Sequence, residues 1–183
     1  MKNVIKIQFG TYKGKNIRLL SKLNIKPTKS IVKSSFINLI YNKINNSNCL
    51  DLFSGTGAIG IELISLGANK VTFVDINSKC CNLIKKNLNL LNVDKNKYEV
   101  LNCDCINYVN FNKNNKFDII TIDPPFSYLF KRKILFKSFI LLNNNGVLYF
   151  EDSKSNIFNL FPENIKNVKV GKNGNVIYYL IFN

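Results

Sequence analysis

The sequence has no histidine among its 183 residues. That absence removes imidazole acid–base catalysis, Ser-His-Asp triads and histidine-ligated metals together. Arginine is nearly missing: Arg18 and Arg132 are the only two. The five cysteines are Cys49, Cys80, Cys81, Cys103 and Cys105; an adjacent pair and a Cys-x-Cys match no zinc spacing, so no metal is expected. Their odd number reads as reduced thiols in a cytoplasmic compartment. No apolar run approaches the ~18 residues of a transmembrane helix. The opening MKNVIKIQFGTYKGKN is too polar for a signal peptide, so no membrane is expected as a partner. Acids are scarce as well, 11 against 26 Lys and Arg, for a net charge of +15. Such an excess favours an anionic partner, most commonly nucleic acid. Asn, Lys and Ile are also in excess, and an A+T-rich genome would give the same bias, so charge alone leaves both readings open.

What is present centres on Asn48 to Asn77, NCLDLFSGTGAIGIELISLGANKVTFVDIN. An apolar run through Cys49, Leu50, Leu52 and Phe53 ends in the turn Gly55-Thr56-Gly57. Helical spacing follows at Ile59, Leu63 and Leu66, with Gly67 where a C-cap belongs. A β-branched run, Val71 to Val74, then ends in Asp75. Strand, glycine turn, helix, strand and acid make the first half of a nucleotide-binding α/β fold. Gly55, Gly57 and Gly60 match G-x-G-x-x-G, and Asp75 stands about 20 residues on, where a ribose-binding acid belongs. The pattern serves both NAD and S-adenosylmethionine (SAM). Asp51, near the mouth of the turn, favours SAM. It would repel a pyrophosphate and attract an ammonium and a sulfonium, while SAM's own carboxylate faces the helix start after Gly57. A turn-capping acid is the plainer reading of Asp51.

The remaining chain fits around that unit. Val4–Phe9 and Ile17–Leu20 predict a β-hairpin with a basic tip at Lys13 and Lys15, two lysines that could reach phosphates or form an ordinary solvated turn. Lys26-Pro27-Thr28 precedes an amphipathic helix expected over residues 29–45, with Thr28 or Ser30 as its cap. A helix is expected over 76–92 and a short strand over 98–101. The apolar run Phe117–Ile122, interrupted only by Asp118 and Thr121, predicts a strand buried on both faces. Lys131 to Leu142 predicts a helix, Asn143-Asn144-Asn145-Gly146 a turn, and Val147–Phe150 a strand. Residues 165–170 and Val176–Phe182 flank Gly171-Lys172-Asn173-Gly174, a hairpin signal. The expected fold class is α/β: one doubly wound, Rossmann-like sheet, mostly parallel, with an antiparallel C-terminal hairpin. No linker divides the chain, so one domain is expected over residues 1–183, with 1–25 as an extension, 26–46 as an N-terminal helix and 48–183 as the core.

Asp123-Pro124-Pro125-Phe126 closes the buried strand. Ligands of open α/β sheets bind outside such strand ends. The prolines stiffen the loop and remove its N–H donors. Carbonyls, one carboxylate and one aromatic ring remain, an acceptor-only cradle for an amine with a stacking surface beside it. A planar base with an exocyclic amine fits; a rigid turn capped by an aspartate is the simpler alternative.

Asp51-Leu-Phe-Ser-Gly55-Thr-Gly57, Asp75 and Asp123-Pro-Pro-Phe126 together resemble a class I SAM-dependent methyltransferase of the amino-methylating type. More closely, the chain is similar to the RsmD family, the small-subunit (16S) ribosomal RNA guanine-N2 methyltransferases. Lys26-Pro27-Thr28, with Val32-Lys33 and Phe36 downstream, is similar to that family's Arg-Pro-Thr signature, and Gly10 to Lys15 to its basic Gly-rich entry. Glu151-Asp152-Ser153 and Gly174 to Tyr178 also fall where the family has an acidic strand end and a last strand. The chain departs from the family at Lys26 (arginine), at Ser34 (an acid) and at Thr11 (a second glycine). By this resemblance Asp51, Phe53, Gly55, Thr56, Gly57, Asp75, Ile76, Asp104, Cys105 and Asp123 would line the SAM site. Asp75 would hold the ribose hydroxyls, and Asp104 the adenine amine with the Cys105 backbone beside it. Asp123, Pro124, Pro125 and Phe126 would orient and stack the target guanine. Lys13, Lys15, Lys26 and Thr28 would contact RNA. The implied partner is small-subunit ribosomal RNA or the 30S subunit, and the expected state is a cytoplasmic monomer. Three other readings stand beside this one: an amine methyltransferase of DNA adenine or protein glutamine, an NAD oxidoreductase, and a non-catalytic RNA-binding module of the same fold.

Overall fold

The computed structural model describes residues 4–19, 30–152 and 167–183; of residues 30–32 it describes only the backbone. Lys26, Pro27, Thr28 and Ser153, and the start of the strand expected at 165, lie outside the described residues.

The N-terminal hairpin forms from β1 (Val4–Lys6) and β2 (Asn16–Arg18), paired antiparallel with Ile5 opposite Ile17. After it come α1 (Ser30–Ile40), β3 (Asn48–Leu52), α2 (Ala58–Ser65), β4 (Lys70–Asp75), α3 (Ser78–Leu90), β5 (Tyr98–Asn102), α4 (Cys105–Phe111), β6 (Phe117–Ile122), α5 (Lys131–Ile140), β7 (Leu142–Asp152), β8 (Val168–Asn173) and β9 (Val176–Phe182). The seven strands from β3 onward make one sheet in the order β5-β4-β3-β6-β7-β9-β8. β5, β4, β3, β6 and β7 run parallel, and β9 and β8 close the edge antiparallel. This is the expected fold class. β3, β4, β6 and β7 are largely apolar on both faces because helices cover both: Val71, Phe73, Ile119 and Val147 pack with α1, α2 and α3, while Leu50, Val74, Ile120 and Leu148 pack with α4 and α5.

Four local expectations change. The first helix ends at Ile40, and a single 3₁₀ turn, Tyr41–Lys43, replaces its last stretch. α4 was not foreseen, because its capping signal, Asp104 accepting the Asn107 N–H at 3.0 Å, stands among polar residues with little periodicity. Asn143 to Gly146 is not a turn but part of β7: Asn145 takes φ +63° and its N–H donates to the Asn183 carbonyl, so the strand bulges and continues. The terminal hairpin turns at Gly174-Asn175, with Asn173 opposite Val176, so Gly171 and Lys172 lie inside β8. Gly174 at φ +60° occupies the first central position, as a type II′ turn requires.

Glu62 of α2 holds the hairpin in place. It is wholly buried, bonds Lys33 Nζ of α1 at 2.6 Å, and accepts the N–H groups of Gln8 at 2.9 Å and Phe9 at 3.2 Å. One turn on, Ser65 Oγ accepts the Tyr12 N–H at 2.9 Å and donates to the Phe9 carbonyl at 2.6 Å. Gly10, at φ +72°, lies so close that a Cβ there would stand 1.9 Å from the Ser65 carbonyl oxygen. Asn87 of α3 bonds the Arg18 backbone in both directions, at 3.0 and 3.1 Å.

Candidate active site

β3 is the switch point of the sheet. The chain leaves it for β4 on one side and later returns to β6 on the other, and the crevice between the outgoing loops lies beyond the carboxyl ends of these strands. The glycine turn fills one wall. Phe53 takes φ +58°, an uncommon backbone for a non-glycine residue, and Gly55 and Gly57 follow at +53° and +76°. Ser54 pins the turn: its hydroxyl donates to the Asp51 carbonyl at 2.6 Å and accepts the Val74 N–H at 2.9 Å. Gly57 opens α2 and, having no side chain, leaves the helix start without a side-chain cap. The first-turn N–H groups there suit an anionic group.

Asp51 lies under this turn, not in its mouth. Its side chain is 3% exposed; Oδ1 accepts the Thr121 hydroxyl at 2.5 Å and Oδ2 the Gly60 N–H at 3.3 Å. A Cβ on Gly60 would stand 2.2 Å from the Phe73 ring and 3.0 Å from Asp51, so glycine is required for this approach. Burial pushes the Asp51 carboxyl up to about 7; the bonds from Thr121 and Gly60 oppose the rise, and the charges of Asp123 and Asp75 add to it. Asp75 ends β4 with Oδ2 accepting the Gly55 N–H at 2.8 Å and Oδ1 the Asn77 N–H at 2.8 Å. Each oxygen keeps a lone pair for another donor. Ile76 is exposed beside it, and the Asn102 amide holds the carbonyls of Asp75 and Ile76 at 3.0 and 2.8 Å. Asp104 and Cys105 follow β5 at the same edge, Asp104 capping α4 and Cys105 buried.

Across the crevice, Asp123 follows β6 directly and is half-buried. Pro124 is buried, while Pro125 and Phe126 are exposed. The loop folds back through the Tyr128 N–H, which donates to the Pro125 carbonyl at 2.8 Å. The Tyr128 ring meets Phe53 edge-on at 4.9 Å between centroids, which ties this loop to the glycine turn. β6 and β7 pair Ile122 with Phe150, so Asp123, just past β6, comes next to Glu151 of β7. Glu151 is buried and accepts the Tyr149 hydroxyl. Burial, then the Asp123 charge, push its carboxyl up to about 8, while the Tyr149 bond opposes the rise.

The structure thus gathers Asp51, Phe53, Gly55, Thr56, Gly57, Asp75, Ile76, Asp104, Cys105 and Asp123 to Phe126 at one edge of the sheet. Lys13 and Lys15 are elsewhere. The hairpin tip docks on Ser65 at the far end of α2, one helix length of about 12 Å from Gly57. Both lysines are exposed, and Lys15 Nζ lies 5.3 Å from the Tyr12 ring centroid. Ser54, Thr121, Tyr128 and Tyr149 were missed. Thr121 alone left a signal, as a polar residue inside an apolar strand.

The family described as Conserved hypothetical protein 95 matches residues 5–182. The Haemophilus influenzae protein named Ribosomal RNA small subunit methyltransferase D is 31% identical over 187 aligned positions, covering 100% of this chain and 95% of that protein. The chain belongs to this family. A Buchnera aphidicola member of the same name is 34% identical, with 97% of this chain and 91% of that one covered. Among solved structures, a Haemophilus influenzae protein described as a methylase superposes with a TM-score of 0.84 at 29% identity, over 98% of both chains. Family likeness therefore runs through the hairpin, the glycine turn, the Asp-Pro-Pro-Phe loop and the antiparallel edge. Among the described residues no cluster of acids and cysteines could hold a metal, and no helix is long and apolar enough to cross a membrane.

Proposed function

We propose that the chain is a single methyltransferase domain, acting as a cytoplasmic monomer, that methylates the exocyclic N2 amine of a guanine in small-subunit ribosomal RNA. S-adenosylmethionine is the methyl donor, and its sulfonium supplies an activated methyl with a built-in leaving group. The observation that carries the reading is the Asp-Pro-Pro-Phe loop facing the glycine turn across the switch point, in a chain of this family. The donor and acceptor set fits the cofactor. The uncapped start of α2 suits its carboxylate, Asp75 suits its ribose, and Asp51, beneath the turn with both oxygens bonded, adds negative potential behind the ammonium and sulfonium. Asp104, with the Cys105 backbone, suits the adenine amine. Asp123 and the Pro124 carbonyl accept from the target amine, Phe126 stacks the guanine, and the loop excludes competing donors. Aligning amine and methyl in this way contributes ~7–11 kcal/mol to the rate. Lys13 and Lys15, and Lys26 and Thr28 beyond the described residues, are proposed RNA contacts. Labelled S-adenosylmethionine with small-subunit RNA, naked or assembled, followed by nucleoside analysis, tests the function: label must appear in N2-methylguanosine, and label in adenosine, or none, refutes it.

Asp75→Ala is expected to weaken cofactor binding about 10- to 100-fold by calorimetry. It removes charge-assisted bonds of about 1.5–3 kcal/mol each. Unchanged affinity assigns the ribose to another group.

Cofactor affinity should also rise with pH. A cation bound above the turn favours the ionised form of Asp51 through space, and burial holds that carboxyl at about 7 without it. Below that pH the site is protonated and the attraction is weakened; above it the attraction is complete. Binding near pH 6 should release protons, read by calorimetry in buffers of different ionisation enthalpy. A flat affinity from pH 6 to 8 without proton release separates Asp51 from the cofactor.

A further inference from the structure

The segment after the Asp-Pro-Pro-Phe loop has a composition that the fold itself does not need. Tyr128 turns inward, while Leu129 is 89% and Phe130 58% exposed. Lys131, Arg132 and Lys133 follow at once, in the first turn of α5. That placement is electrostatically unfavourable, because the start of a helix carries partial positive charge and favours acids. α5 has no acid in its first turn, and no side chain caps it. Lys131 is neutralised by Asp152 at 2.6 Å. Arg132, one of the chain's two arginines, and Lys133 are exposed and pair with no acid among the described residues. Two unpaired cations, Arg132 and Lys133, on an uncapped helix start, beside apolar side chains held out in solvent, leave both charge and apolar surface uncompensated in the free protein. A polyanion carrying flat apolar groups compensates both.

We propose that Leu129 to Lys133 is an RNA-docking surface that packs nucleotides flanking the target on Leu129 and Phe130 and holds their phosphates on Arg132, Lys133 and the start of α5. The inference rests on the function proposed above and adds where the strand runs. The surface continues from Phe126, and Tyr128 braces it, its ring 4.9 Å from Phe53 and 6.0 Å from Phe130. A strand leaving the guanine pocket meets this patch next. The hairpin tip, at the far end of α2, can then touch only a more distant part of a folded RNA. Guanidinium geometry suits a phosphate at Arg132, and each flanking base stacked on an aromatic face adds affinity without demanding a sequence.

The test compares wild type with two surface variants, Leu129→Ser/Phe130→Ser and Arg132→Ala/Lys133→Ala, in methyl transfer to naked small-subunit RNA and to assembled 30S subunits. The apolar pair should raise the RNA KM about tenfold, with kcat and cofactor affinity kept. The basic pair should lower the salt slope of RNA binding by about 1.4, two phosphates at ~0.7 each for a single strand. Unchanged KM and slope in both variants overturn the proposal. So does an effect on assembled subunits alone, which would assign the surface to a ribosomal protein. A wild-type protein that methylates neither substrate would instead overturn the function itself.

Discussion

Asp123→Ala is expected to lower turnover by ~10²–10³ while cofactor affinity stays near wild type. Guanine N2 is a weak nucleophile because its lone pair is delocalised into the ring. As it attacks, the nitrogen becomes tetrahedral and gains positive charge. An acceptor fixed at the end of β6 stabilises that charge more than it stabilises the flat ground-state amine, so its removal falls on kcat. With no histidine in the chain, the N2 proton is expected to leave to Asp123 or to water after transfer. Glu151 stands beside Asp123, and burial, then the Asp123 charge, raise its carboxyl to about 8. Asp123→Asn keeps one acceptor oxygen and should fall between wild type and Asp123→Ala. Single-turnover transfer at saturating cofactor and RNA is the measurement. A wild-type rate in Asp123→Ala would reduce Asp-Pro-Pro-Phe to a stiff turn.

Glu62→Ala should produce the largest loss of stability. Glu62 joins three elements: Lys33 of α1 at 2.6 Å, the backbone of Gln8 and Phe9 ahead of the hairpin tip, and α2 itself. Removing the carboxylate strands a buried ammonium and two N–H groups. Breaking one partner of a buried pair costs about 3–5 kcal/mol. At ~2–4 °C per kcal/mol for a chain of this size, Tm falls by roughly 6–20 °C. Adding Lys33→Met should recover part of the loss, since the unpaired charge goes while its apolar volume stays. Trypsin should also cut sooner at Lys13 and Lys15 as the hairpin loosens. An unchanged Tm would mean that water or a shifted backbone replaces every bond Glu62 makes.

The two experiments probe opposite ends of α2. Its first turn faces the crevice and its last turn carries the hairpin, so damage at Glu62 should act on folding before it acts on chemistry. Thermal melts of Asp123→Ala should accordingly stay close to wild type, because the half-exposed carboxylate follows the strand instead of packing within it.

The sequence by itself determined the parallel frame and the sheet edge that carries the proposed site. Alternation, apolar runs, glycines at Gly55 and Gly57 and prolines after Asp123 act within a few residues of themselves, so β3, α2, β4 and β6 and the acid at the end of β4 were legible one after another. The paired prolines marked the end of β6 because they remove donors wherever they occur. Tertiary structure alone decided the partners. Asp51 met Thr121 across 70 residues of chain and Glu62 met Gln8 across 54, pairings that no local pattern encodes. It turned Asp51 from a group facing the mouth into one beneath the turn, because β6 offers a hydroxyl there and α2 approaches on Gly60. It carried Asn143 to Gly146 into β7, because bonds to the C-terminal residue outweigh the turn preference of asparagine and glycine. It also put the basic tip at the far end of α2, because Ser65 and Glu62 bind the hairpin backbone there.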